Sequence, residues 1–123
     1  MADLVSTRRL REQVLASTVT YTMHGHRTAE RRSLEYHRLV AERLDEALLA
    51  KARARVEEWI AERGPVHPVY ARRWKAVLDR SVPEIASILV TDDEPSRDLR
   101  QNTPFAGALT PSERWRILRE VHD

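Results

Sequence analysis

The chain has no cysteine. Disulfides, thiolate metal sites and a thiol nucleophile are therefore excluded, and the absence suits a reducing cytoplasm, where the protein is expected to act. Glycine is scarce, at three residues in 123, and turn-forming clusters are few, so the elements should be joined by short connections. No uncharged apolar run approaches the roughly 20 residues that a membrane helix requires, and no membrane role is expected. The opening stretch MADLVSTRRLREQVL sets its arginines in amphipathic sequence without an apolar core and small-residue cleavage site behind them, so no secretion signal is expected. A glycine-rich phosphate loop and a nucleophile elbow are also missing.

What is present is one domain's worth of chain, long enough to bury a single core. Its charge is nearly balanced, +2 from 21 basic and 19 acidic residues. Residues 1 to 34 hold Arg8, Arg9, Arg11, Arg27, Arg31 and Arg32 against Asp3, Glu12 and Glu30, a local excess of three. Such an excess suits an acidic protein face or a phosphate backbone, although a solvated helix surface is the plainer reading.

The hydrophobic pattern is helical along most of the chain. Ser6 or Thr7 is placed to cap a short helix reaching Ser17. Thr18 to Met23 then alternates polar and apolar β-branched residues in the manner of a strand that has no mate, which leaves it irregular, an arm for another protein, or a second-copy contact. From Thr28, Leu34, His37, Ala41 and Leu44 form one stripe, and beyond Asp45 the residues Leu48, Leu49, Ala52, Val56, Trp59 and Ile60 form another. Gly64-Pro65 ends that helix, glycine being suited to a left-handed terminus. His67-Pro68 opens a third, bearing Tyr70, Trp74, Val77 and Leu78.

Ser81-Val82-Pro83-Glu84 and Thr110-Pro111-Ser112-Glu113 have the spacing of capping boxes. Ile85, Ile88 and Leu89 follow the first, and Trp115, Leu118 and Val121 follow the second. Between them Asp92 and Asp93 are placed to cap a brief helix containing Leu99. The expectation is an all-α fold: a compact bundle of five or six short helices. Residues 1 to 27 form a basic N-terminal segment, flexible or irregular with a possible short helix, and residues 28 to 123 form the helical domain.

Candidate chemistry is thin. His24 and His26 can converge on an ion, but two imidazoles without further ligands do not make a metal site. His37 lies on an apolar face, as a satisfied core histidine does. Glu57-Glu58 and Asp92-Asp93-Glu94 look solvated, and adjacent helical carboxylates point about 100° apart and cannot share a proton. Neither a catalytic residue, a cofactor nor a metal is expected; the protein is read as a binding protein and not an enzyme.

The stretch from Leu99 to Leu109 stands apart. It puts the single phenylalanine, Phe105, in a loop with Pro104 and Gly107, flanked by Arg100 and Trp115. Phe105 either plugs the core from above or, with arginine, anchors a partner as hot-spot residues do.

Three segments carry a resemblance: Arg32-Ser33-Leu34-Glu35-Tyr36-His37-Arg38-Leu39-Val40-Ala41-Glu42-Arg43-Leu44, Arg100-Gln101-Asn102-Thr103-Pro104-Phe105-Ala106-Gly107, and Thr110-Pro111-Ser112-Glu113-Arg114-Trp115. Together they resemble a family of small helical bacterial proteins encoded beside nucleotidyltransferase-fold toxins of the Men and AbiE type. The likeness covers roughly residues 30 to 121. It implies an antitoxin that binds and silences a cognate toxin, the toxin being the enzyme that adds nucleotides to transfer RNA. Blocking needs only an interface of about 800 Å² per partner, for which Arg100, Gln101, Pro104, Phe105 and Trp115 are the candidate residues. The alternative is a small basic helical regulator that binds nucleic acid, DNA in particular, through Arg8, Arg9, Arg11, Arg31 and Arg32. A homodimer is compatible with either.

Overall fold

The structure, a computed structural model, describes residues 27–62 and 64–122. Expectations for Ser6 to Ser17, for Thr18 to Met23, for His24 and His26, and for Arg8, Arg9 and Arg11 lie outside the described residues. Six helices account for most of what is described, and no strand occurs among these residues. They are α1 (27–42), α2 (Glu46–Glu62), α3 (Pro68–Leu78), α4 (Val82–Leu89), α5 (Glu94–Gln101) and α6 (Pro111–Glu120). The all-α expectation holds. Among the described residues, no helix is long and apolar enough to cross a membrane.

Local chemistry explains the breaks. The chain turns between α1 and α2, where the Arg43 amide donates to the Val40 carbonyl at 3.0 Å and tightens the last turn. The Asp45 carboxylate then accepts the Leu48 amide at 2.8 Å, so a side chain satisfies one of the donors that a helix start leaves orphaned. His67 caps α3 by accepting the Val69 amide through Nδ1 at 3.1 Å, and Asp93 caps α5 by accepting the Ser96 amide at 2.9 Å. At α6 both arms of the capping box are made: the Glu113 amide donates to the Thr110 hydroxyl at 3.2 Å and the Thr110 amide to the Glu113 carboxylate at 2.9 Å. At α4 the Ser81 hydroxyl accepts the Glu84 amide at 3.4 Å and donates to the Glu84 carboxylate at 2.9 Å. Proline occupies the first turn of α3, α4, α5 and α6, where its missing amide costs nothing.

Gly64 ends α2 for a different reason than expected. Positive φ is found at Gly107 and not at Gly64, so no left-handed terminus forms there. The Gly64 amide donates to the Trp59 carbonyl at 3.0 Å, and a Cβ on Gly64 would stand 3.1 Å from the Trp59 ring. That close approach favours glycine.

The core is built on α2 packed along α3. Leu49, Ala52, Val56 and Trp59 face Ala71, Trp74, Val77 and Leu78. Lys75 pairs with Glu57 at 3.2 Å on the outside, and Arg53 donates to the Leu78 carbonyl through Nη2 at 3.0 Å, closing the C-terminus of α3. Ile85, Leu89, Leu99, Phe105 and Leu109 complete one side, and Val40, Ile117 and Val121 the other.

Two helices lie rotated from their expected phase. On α1 the buried positions are Thr28, His37 and Val40, while Leu34, Ala41 and Leu44 are half-buried. On α6 the inward residues are Ile117 and Val121, whereas Trp115 is 63% exposed and Leu118 43% exposed. The Trp115, Leu118, Val121 ladder at three-residue spacing competes with the Ile117, Val121 pair at four, and the second wins. Arg32 fixes the choice by donating through Nε to the Val121 carbonyl at 2.8 Å, which ties the end of α6 to α1.

Candidate partner-binding site

The residues singled out between Leu99 and Trp115 fall into two groups. The loop after α5 is clamped from below by side chains of α1 and α2, each gripping a backbone group that the loop would otherwise leave unsatisfied. Tyr36 donates its hydroxyl to the Phe105 carbonyl at 2.7 Å. Arg55 donates through Nη1 to the carbonyls of Pro104, at 3.0 Å, and Ala106, at 2.8 Å. The Phe105 amide donates to the Thr103 hydroxyl at 3.1 Å, and that hydroxyl lies 2.8 Å from His37 Nε2.

The tautomer of His37 follows from its partners. Nδ1 stands 2.7 Å from the Ser33 carbonyl, which can only accept, so Nδ1 carries the proton and Nε2 accepts from Thr103. Burial pushes the imidazole down from 6.5 to about 4; the Ser33 bond opposes this shift and the charge of Arg100 adds to it. A histidine that stays neutral, with both nitrogens engaged, serves as a strut.

With the loop so held, Phe105 is 1% exposed and its ring packs edge to face on Trp74. Pro104 is buried as well. Arg100 is 3% exposed, and its Nη1 donates to the Thr91 carbonyl at 2.6 Å. Of the five candidates, then, Arg100, Pro104 and Phe105 lie inside, and Gln101 and Trp115 lie outside. The plug reading of Phe105 describes its placement; an anchor presented to a partner does not.

The acidic pairs are structural in the same sense. Asp92 accepts from Arg97 Nε at 3.1 Å. Asp93 caps α5, and the Ser96 hydrogen bonds hold its carboxyl below the ordinary carboxylate value. Among the described residues, no group of three or more histidine, aspartate or glutamate side chains is placed to hold a metal. Arg31 is exposed, while Arg32 is engaged with the carbonyls of Val121 and Leu118.

What remains presented is the outer face of α6. Trp115 and Leu118 sit one turn apart on it, with Arg114, Arg116 and Arg119 exposed around them. The helix is anchored underneath by Ile117 and Val121, and at its start Glu113 is gripped by both terminal nitrogens of Arg43. A tryptophan held outward on a helix that also exposes arginines combines the residue types that dominate protein-binding hot spots. Leu118 falls on the apolar ladder of the sequence pattern, and its exposure on this face is a matter of tertiary packing. The clamp residues Tyr36 and Arg55 gave no sequence signal, because their partners are backbone atoms dozens of positions away.

The chain matches no family model, no curated protein and no solved structure.

Proposed function

We propose that this protein is an antitoxin that binds and neutralises a cognate nucleotidyltransferase-like toxin by protein–protein contact, acting by occupancy and not by catalysis. The observation that carries the reading is the outward tryptophan of α6. Within the segments that resemble the antitoxin family, Arg100 and Phe105 serve the core, and Thr110 with Glu113 serves the cap. Trp115 is 63% exposed, and among the described residues its indole makes no hydrogen bond or ring contact. An amphipathic helix laid into a groove is an established mode of recognition. The guanidiniums of Arg114, Arg116 and Arg119 suit a partner whose site bears acidic metal ligands, as a nucleotidyltransferase site does.

Co-expression with the product of the adjacent open reading frame tests the proposal. A stable complex and restored growth are expected; a toxic neighbour that neither binds nor is relieved would end it. The second reading, a nucleic-acid regulator, is favoured by the same arginines interleaved with Trp115, since guanidinium and aromatic groups also grip phosphates and bases. Affinity for duplex DNA or RNA that falls steeply with salt, together with no effect on the neighbour, would select it.

A further inference from the structure

Arg100 is a charged residue in a core position, its side chain 2% exposed. Its Nη1 donates to the Thr91 carbonyl at 2.6 Å and to the Leu89 carbonyl at 3.4 Å. Nη2 stands 3.9 Å from the Asp92 carboxylate, beyond hydrogen-bond reach, and that carboxylate already accepts from Arg97 at 3.1 Å. Nε is buried with no hydrogen-bond partner. Nε lies on the edge of the guanidinium that oxyanions grip with two parallel bonds, and it is thus left without an acceptor. A guanidinium taken out of water in this way is unfavourable unless an anion compensates it.

That residue lines an open cleft of about 420 Å³ between α1 and α5, with Ala29, Glu30, Ser33, Arg97 and Gln101. The volume lies in the range of small-molecule sites, roughly 300 to 1,000 Å³. Two guanidiniums face one carboxylate in this lining, and Glu30 interacts favourably with both. Arg97 is also paired with Asp92 outside the lining, and the two guanidiniums stand on successive turns of α5, so both are held on a rigid element. The Ser33 hydroxyl and the Gln101 amide add neutral polar groups suited to the rest of a ligand.

We propose that the cleft between α1 and α5 binds the oxyanion of a small molecule, a carboxylate or a phosphate, on the guanidiniums of Arg97 and Arg100. The site is separate from the outer face of α6 and does not depend on the partner proposed above. Glu30 sets its selectivity: the wall carboxylate offsets part of the positive potential, so a compact oxyanion is preferred over a highly charged one.

The test is a titration of the full chain followed by amide NMR, with inorganic phosphate in one arm and succinate in the other, and sodium chloride at matched ionic strength as the control. Saturable shifts centred on Ser33, Arg97 and Gln101 are expected in at least one arm, and the arm that saturates identifies the chemistry. Arg97→Gln and Gln101→Glu should each weaken the apparent Kd about tenfold, the loss of one charge-assisted contact or the gain of one repulsion, while Glu30→Gln should tighten it. Gln101 is exposed, so the second variant keeps the fold even if the first disturbs it. Shifts that rise linearly in both arms and are reproduced by chloride, or a Kd indifferent to Gln101→Glu, overturn the proposal.

Discussion

The rings of Trp74 and Phe105 meet edge to face with centroids 5.9 Å apart and planes inclined at 76°. Trp74 is fully buried and donates its indole N–H to the Leu99 carbonyl at 3.1 Å. The pair joins α3 to the loop after α5, so the loop is part of the core and not an appendage to it. Phe105→Ala should therefore lower the unfolding free energy by about 3 to 5 kcal/mol, through lost burial and the cavity left against Trp74. Urea denaturation measures this. Partner affinity should fall only as far as the folded fraction falls; a variant of wild-type stability with lost binding would restore the anchor reading.

Protonation of His37 opposes folding. The unfolded chain takes up this proton near 6.5 and the folded chain only near 4, so the stability contribution is complete above 6.5 and is lost as pH falls from there toward 4. A displacement of that size corresponds to about 3 kcal/mol over the whole window. Unfolding free energies measured at pH 7 and pH 5 should differ by about 2 kcal/mol from this residue. His37→Gln, which has no proton to gain, should be less stable at pH 7 and should show a flatter profile between those two values.

Gly107 carries a φ of +83°, and a Cβ built on it meets nothing within 4 Å. The demand on this position is thus one of backbone conformation alone. Gly107→Ala should cost about 1 kcal/mol, and Gly107→Asn less, because asparagine tolerates the left-handed region better. Equal melting temperatures for wild type and the alanine variant would show that the loop relaxes to another turn.

Trp115→Ala separates docking from folding. An indole 63% exposed contributes little to the core, so stability should change by about 0.5 kcal/mol or less. The affinity of the complex should drop by about 2 kcal/mol or more, roughly thirtyfold. Calorimetric titration against the partner reads the second quantity. Unchanged affinity would remove the α6 face from the interface.

The elements of the fold were legible wherever the signal was local. The caps at Asp45, Asp93 and Thr110 and the first-turn prolines announce helix starts within four residues of chain, and the structure has helices there. The phase of the short helices was not. An eight- to ten-residue helix has too few turns for its apolar residues to define one face, so Trp115 and Leu118 read as core beside Val121. On the longer α1 the stripe through Leu34, His37, Ala41 and Leu44 passes beside Val40, which is fully buried. At the candidate site, composition pointed to the right loop but could not say which way Phe105 faces.

The amino-acid sequence alone determined that this protein is helical, where α3, α4, α5 and α6 start and which stretch of chain joins α5 to α6, because capping and periodicity are interactions between near neighbours. The tertiary structure decided which aromatic is hidden and which is offered. Phe105 turns inward since Tyr36 and Arg55, on other helices, hold its loop by the carbonyl oxygens. Trp115 turns outward since Arg32 and Arg43 on or beside α1 fix the rotation of α6. Those contacts join residues up to 89 positions apart, a distance over which local pattern carries no information.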